Sequence, residues 1–177
     1  MTESNRAAAQ RVEREAALES AFLEHYTRVF GVLYRLVGER AEAEDLALET
    51  FWRLWERAPA RAENLGGWLY RVALRLGYNA LRAAKRRAQY ETSAGREALD
   101  FDPPPDPAQE AERAEAQGRV RAVLSRMPER DAQLLLLRHS GVAYKDLAAA
   151  LNLAPNSIGT LLARAEQEFE RLYRQGE

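Results

Sequence analysis

Apolar positions recur at helical spacing along most of the chain. Phe22, Tyr26, Val29, Leu33 and Leu36 step by 4, 3, 4 and 3 residues, the stripe of an amphipathic helix, and Gly38 follows as a stop signal. A second helix is predicted from about Ala41 to Arg57, with Ala43, Ala47, Phe51 and Leu54 inward and Pro59 as its terminator. A third starts after Asn64, with Leu69, Val72, Leu76 and Ala80 inward. No apolar–polar alternation is long enough for a strand, and no internal repeat is present. The predicted fold class is therefore all-α.

The pattern then breaks. SAGREALDFDPPPDPAQEAE is rich in proline, acid and small residues. Pro103, Pro104 and Pro105 cannot continue a helix and favour extended backbone. The stretch offers little apolar surface to offset the entropy of ordering, so it reads as a flexible linker. Helical spacing resumes with Val120, Val123 and Leu124. Pro128 opens the helix ERDAQLLLLRHS, Gly141 breaks it, and Tyr144 to Leu151 forms another. A turn at Asn152–Ala154 leads to a last helix from Pro155, a residue well placed at a first helical position. Leu153 and Ile158 are spaced as a hydrophobic staple, and Ile158, Leu162, Ala165, Phe169 and Leu172 form the buried stripe. Helix, tight turn, helix is the pattern of a helix-turn-helix. The expected organisation is an N-terminal extension (1–17), a first helical domain (18–92), a flexible acidic linker (93–111) and a second helical domain (112–177).

Charge sharpens this picture. The formal net charge is −1 over 177 residues, but it sums opposed blocks. Asn64 to Tyr90 holds six basic residues and no acidic one; Glu91 to Gly118 holds eight acidic and two basic. Such segregation points to charged partners. There is no cysteine, which excludes disulfides, thiolate nucleophiles and cysteine metal sites. His25 and His139 are far apart, and neither has a neighbour at metal-ligand spacing; His25 reads as a packing or surface residue. Gly66–Gly67 lacks the strand and lysine of a phosphate loop. No catalytic residues, metal or cofactor are expected. No apolar run approaches the roughly 18 residues of a membrane span, and MTESNRAAAQRVEREAALE lacks a signal-peptide core, so a cytoplasmic protein without membrane insertion is expected.

Three surfaces carry candidate function. In AEAEDLALETFWRLWER, Leu48, Trp52 and Trp55 lie off the inward stripe, bordered by Asp45 and Glu49. They finish the core on another side or, as indole anchors with an acidic rim, dock a basic helical partner. In NLGGWLYRVALRLGYNALRAAKRR, Trp68, Arg71, Arg75, Asn79, Arg82 and Arg86 are spaced 3, 4, 4, 3 and 4, with Lys85 beside them. A face of guanidiniums, an amide and a ring suits phosphates and exposed bases, so single-stranded or melting DNA is favoured over a merely solvated face. The third surface is APNSIGTLLARA. With Ile158, Leu162 and Phe169 inward, its outward face is Asn156, Thr160, Ala163 and Gln167, with Ser157 near its start and Arg164 at its edge. Amides and methyls can meet adenine and thymine edges in the major groove. Phosphates would fall to the helix N-terminus and to Lys145, Arg126, Arg130 and Arg138.

Taken in order, these segments resemble extracytoplasmic-function (ECF) sigma factors of bacterial RNA polymerase, from about Ala21 to Tyr173. AEAEDLALETFWRLW resembles the segment that binds the polymerase clamp helices. NLGGWLYRVALRLGYNALRAAKRR resembles the segment that melts and reads the minus-ten element. VLSRMPERDAQLLLLRHSGVAYKDLAAALNLAPNSIGTLLARA resembles the domain that reads the minus-thirty-five element and contacts the polymerase flap. The resemblance implies a promoter-specificity factor, not an enzyme, with a region 2-like and a region 4-like domain. Asp45, Leu48, Glu49, Trp52 and Trp55 would hold core polymerase. Asn64, Trp68, Arg71, Arg75, Asn79, Arg82, Lys85 and Arg86 would handle the minus-ten strand. Lys145, Asn156, Ser157, Thr160, Ala163, Arg164 and Gln167 would read the minus-thirty-five element. It also implies an anti-sigma partner covering both domains. The chain departs from the family at Leu48, usually glutamine, at Asn79, often aspartate, and at Gly159, Leu161 and Ala163, where basic residues are usual. Two alternatives stay open: a polymerase- or partner-binding helical module whose helix-turn-helix no longer reads promoters, and a stand-alone helix-turn-helix repressor.

Overall fold

In a computed structural model, residues 3–57, 64–91 and 107–176 are described. Among them every regular element is helical. Three long helices come first: α1 (Glu3–Val37), α2 (Arg40–Arg57) and α3 (Leu65–Glu91). Four follow: α4 (Pro107–Arg126), α5 (Glu129–His139), α6 (Tyr144–Leu151) and α7 (Ile158–Arg174). The expected terminator Pro59 and most of the expected linker, residues 93–106, lie outside the described residues. Its last part, from Pro107, is the first turn of α4.

Local chemistry sets the boundaries. Gly38 adopts φ +83° and its N–H donates to Tyr34 O at 2.9 Å, closing α1 in the left-handed conformation that glycine tolerates. Glu39 then accepts from Ala41 N at 2.9 Å and from Glu42 N, so a carboxylate caps α2 where the helix dipole favours negative charge. Asn64 caps α3: its Oδ1 accepts from Gly67 N at 2.6 Å. Between α6 and α7 the turn rests on Asn152, the one described non-glycine residue with positive φ (53°), and Leu153 N donates to Ala148 O. A short 3-10 turn, Pro155–Ser157, precedes α7, so the last α-helix starts three residues later than Pro155 suggested. Leu153 is half-buried and Ile158 fully buried, as a staple requires.

The first unit buries Val29, Val32, Leu33, Ala43, Ala47 and Leu69 completely. The predicted α2 stripe of Ala43, Ala47, Phe51 and Leu54 is its inward face. On α1 the centre of burial sits slightly to one side of the predicted line. Val29, Leu33 and Leu36 are buried with Ala21, His25 and Val32, while Phe22 and Tyr26 are half-buried and stack at 4.6 Å. On α3 the difference is larger. Leu69 and Leu76 are buried as expected, Val72 and Ala80 only half, and Tyr70, Ala73 and Leu74 join the core. The cause is that α3 packs against α1 and α2 on one flank and against α6 on another. The second unit centres on Leu134, Leu137, Val142, Leu147 and Ile158, with Leu162, Ala165 and Leu172 from α7; Phe169 is half-buried and stacks on Tyr173. On α4 Val123 is buried and Val120 is 38% exposed.

Candidate partner and nucleic-acid surfaces

The α2 surface keeps its apolar stripe outside the core. Leu48 is 53% and Trp52 56% exposed, side by side one helical turn apart. With Phe51 and Leu54 filling the inward face, nothing in the fold needs either side chain, and exposed large apolar groups of this kind mark docking sites. Asp45 is exposed, and Glu49 is half-exposed and paired with Arg53 at 2.8 Å. Trp55 differs: it is half-buried, with the Arg14 guanidinium 4.6 Å above its ring. The long N-terminal half of α1 therefore covers one of the two indoles and leaves the other open.

The α3 row is also present as a face, but its members do different things. Arg75, Asn79, Lys85 and Arg86 are exposed and Trp68 is half-buried. Arg82 donates to Asn79 Oδ1 at 3.1 Å and pairs with Glu129 of α5 at 3.2 Å. Arg71 Nε donates to Ala150 O at 3.0 Å, and a second guanidinium nitrogen donates to Ala149 O. Asn64 is the α3 cap, and its Nδ2 donates to Lys145 O at 3.4 Å. So Asn64, Arg71 and Arg82 are engaged with the second unit, Trp68 packs half-buried against the core, and Arg75, Asn79 and Arg86 are exposed.

Leu74, Tyr78, Glu129 and the Gly66–Gly67 pair complete this seam, and none of them stood out as a site residue in the sequence. Leu74 and Tyr78 line a cleft of about 210 Å³ together with Arg71, Arg75, Arg82, Glu129, Ala150 and Leu151. Burial, reinforced by the Glu129 carboxylate, pushes the Tyr78 phenol well above its ordinary range, against the smaller opposing pull of Arg82. Tyr70 is raised too, chiefly by burial, and shares a 3.3 Å hydrogen bond with His25 Nδ1. His25 is thus a packed core residue with a partner.

On α7 the outward face is as expected. Asn156, Thr160, Ala163, Arg164 and Gln167 are all exposed, opposite the buried Ile158, Leu162 and Ala165. Ser157 is half-buried, and its hydroxyl donates to Ala154 O at 2.8 Å, a local bond inside the turn. Lys145 is exposed at the start of α6. A Cβ on Gly159 would meet nothing within 4 Å, so the backbone there is open to close approach. Among the described residues no cluster of three His, Cys, Asp or Glu could hold a metal, and no helix is long and apolar enough to cross a membrane.

Comparison with known proteins places these surfaces in a common frame. Residues 21–87 match the family model of sigma-70 region 2, and residues 117–169 that of sigma-70 region 4. The chain is 28% identical over 150 residues to the ECF RNA polymerase sigma factor SigE of Mycolicibacterium smegmatis, covering 82% of this chain and 57% of that protein. It is 26% identical over 174 residues to the RNA polymerase sigma-H factor of Pseudomonas aeruginosa, covering 92% and 90%. Two solved structures share the fold. CnrH, in complex with the cytosolic domain of CnrY, has a TM-score of 0.64 at 16% identity, over 92% of this chain and 91% of that one. The sigma factor RpoE of Bartonella quintana, in complex with the anti-sigma factor NepR, has a TM-score of 0.57 at 19% identity, over 88% and 96%.

Proposed function

The chain belongs to the sigma-70 family, in its ECF group, and from that premise we propose that it directs core RNA polymerase to a restricted set of promoters and helps open the DNA there. It is an initiation factor and carries out no catalysis of its own. One observation carries the proposal: region 2 and region 4 stand in order on one chain, with Leu48 and Trp52 of α2, Arg75, Asn79 and Arg86 of α3, and Thr160, Ala163 and Gln167 of α7 exposed.

In the proposed division of labour, Leu48 and Trp52 anchor the polymerase clamp helices, with Asp45 and Glu49 setting orientation against basic groups. Trp55 supports that surface from beneath Arg14. Trp68, Arg75, Asn79 and Arg86 meet the opened minus-ten strand, ring on base and guanidinium on phosphate, with Arg71, Arg82 and Lys85 as further cations. The α7 face reads the upstream element with amides and methyls while the second domain also contacts the flap. A weak upstream contact suffices, because polymerase binding by the first domain holds the second at high local concentration. RpoE is held by an anti-sigma factor in its solved complex, and an anti-sigma partner covering both domains is proposed for this chain as well. A cytoplasmic location follows from the proposed work on polymerase and DNA.

Run-off transcription with purified core polymerase on fragmented genomic DNA tests the proposal. Discrete promoter-dependent transcripts are expected. Core binding without any such transcript would overturn it. One observation favours a second reading: Arg164 is the one cation beside the Asn156–Gln167 face, and Arg171 and Arg174 farther along α7 are paired with Glu168 and Glu170. If promoters keep their activity when upstream DNA is scrambled, α7 serves protein contacts alone.

A further inference from the structure

A larger cavity lies away from both the α2 docking stripe and the α3 basic row. It opens between α1, α4, α5 and α7 and holds about 640 Å³, the size of a small-molecule site. Its walls are apolar: Val120 and Leu124 of α4, Leu135 and Leu136 of α5, and Phe169 of α7. Leu135 and Leu136 are buried, whereas Leu124 and Phe169 are half-buried and Val120 is open. Apolar surface left uncovered beside a cavity is surface that a bound molecule would remove from water.

The polar groups at this cavity carry excess positive charge. Arg35, Arg121 and His139 line it, against one acid, Glu166. Arg35 and His139 stand in the last turns of α1 and α5, where a cation answers the negative end of the helix dipole. Arg35 also donates to Gly31 O at 3.0 Å. Arg121 has no such task. It stands before the last turn of α4, and among the described residues no acid pairs with it and no oxygen accepts from it. Its guanidinium is half-buried against the turn between α1 and α2: a Cβ added at Gly38 would lie 2.5 Å from Arg121 Cζ. The glycine that closes α1 thus also makes room for the cation. A half-buried cation without a counter-charge has lost hydration and gained nothing in return, so it favours an arriving anion.

We propose that this cavity binds a free amphiphilic anion, an acyl chain ending in a carboxylate. The carboxylate pairs with the Arg121 fork, and the chain lies across Val120, Leu124, Leu136 and Phe169. Charge selects the head, since a neutral head leaves Arg121 unpaired and a cationic one meets two guanidiniums. The apolar walls select the tail. Glu166 opposes the anion and limits its affinity. None of these residues belongs to the surfaces assigned to polymerase or to promoter DNA, so the site is a separate, small-molecule function of the same chain. An occupant touches α1, α4, α5 and α7 together and stabilises the fold by mass action.

Dansyl-undecanoic acid, a fluorescent amphiphilic carboxylate, is the probe, titrated into the full-length protein below its micellar concentration. Saturable binding of one probe per chain is expected, with a rise in Tm by circular dichroism. Oleate should displace the probe and oleyl alcohol should not. Arg121→Gln should weaken binding by at least about tenfold, the worth of a charge-assisted hydrogen bond, and should leave the melt of the unliganded protein unchanged. Arg121→Lys should keep part of the affinity, and Glu166→Gln should raise it. Val120→Trp fills the cavity from an open position and should abolish binding. Absence of saturable binding in the parent, or its survival in a folded Val120→Trp protein, overturns the site. Equal displacement by the alcohol, or parent affinity in Arg121→Gln, overturns anion recognition. Phosphatidylglycerol vesicles should leave the protein in the supernatant; co-sedimentation that is lost in Arg121→Gln overturns a free ligand in favour of a lipid surface.

Discussion

Asn64 offers the sharpest single-residue test, because its two ends do separable jobs. Oδ1 accepts from Gly67 N at 2.6 Å, capping α3, and Nδ2 donates across the seam to Lys145 O at 3.4 Å. Asn64→Ala removes both. Losing an asparagine cap costs about 1 kcal/mol, and the long seam bond adds little. If the three-helix unit melts by itself, 1 kcal/mol lowers Tm by about 4–8 °C; if the chain melts as one, by about 2–4 °C. Asn64→Asp keeps the acceptor and suits the positive helix end, so its Tm should match the parent while the seam bond is lost. Circular-dichroism melts measure the first effect and amide exchange along α6 the second. An Asn64→Ala protein that melts with the parent, or an Asn64→Asp protein that falls as far as alanine, would refute the capping role. If Asn64→Asp keeps its Tm yet supports open-complex formation no better than alanine, the side chain meets DNA as well.

Two further outcomes follow from the same geometry. Trp52→Ala should weaken core-polymerase association by at least about tenfold with an unchanged melt, since an exposed indole anchors a partner and not the core; Trp55→Ala should lower the melt, because Arg14 packs on that ring. Unchanged co-purification of Trp52→Ala would remove the docking surface. The second outcome concerns alkali. Tyr78 ionises later in the fold than the ordinary phenol value of 10.0, so its neutral form favours the packed state. The associated stability is fully present below that pH and is lost as pH rises past it toward the higher folded value. A tyrosinate absorbance titration of the parent against Tyr78→Phe should show a late-titrating phenol missing from the variant; identical curves would count against the buried seam.

How legible was all this in the chain? The elements read well where one stripe faces one core. Ala43, Ala47, Phe51 and Leu54 on α2, and Ile158, Leu162 and Ala165 on α7, are buried as their spacing requires. The outward α7 residues are exposed for the same reason. The reading failed on α3, where Tyr70, Ala73 and Leu74 are more buried than Val72 and Ala80. A helix packed on two flanks buries a wider arc than one stripe, and its second neighbour, α6, begins 53 residues after α3 ends. Spacing within a segment carries no trace of a contact made at that range. The signal that was available is Gly66–Gly67: glycines in a first helical turn are unfavourable unless something approaches closely. Trp55 was ambiguous because its cover, Arg14, depends on α1 running through the stretch set apart as an N-terminal extension.

The near-neutral α7 face has a consequence for how promoter contacts respond to ionic strength. Each phosphate neutralised by a cation releases condensed counterions, with a slope near 0.9 per phosphate on duplex DNA and near 0.7 on single strands. Five cations stand on the proposed strand face (Arg71, Arg75, Arg82, Lys85 and Arg86), whereas the proposed upstream set holds two, Arg164 and Lys145. On the proposed assignment, grip on the opened strand would fall steeply with added salt, and upstream only the phosphate contacts of Lys145, Arg126, Arg130 and Arg138 would weaken while the base-reading amides and methyls keep their preference. Osmotic upshift would slow DNA opening at a promoter without redirecting the factor to a different one.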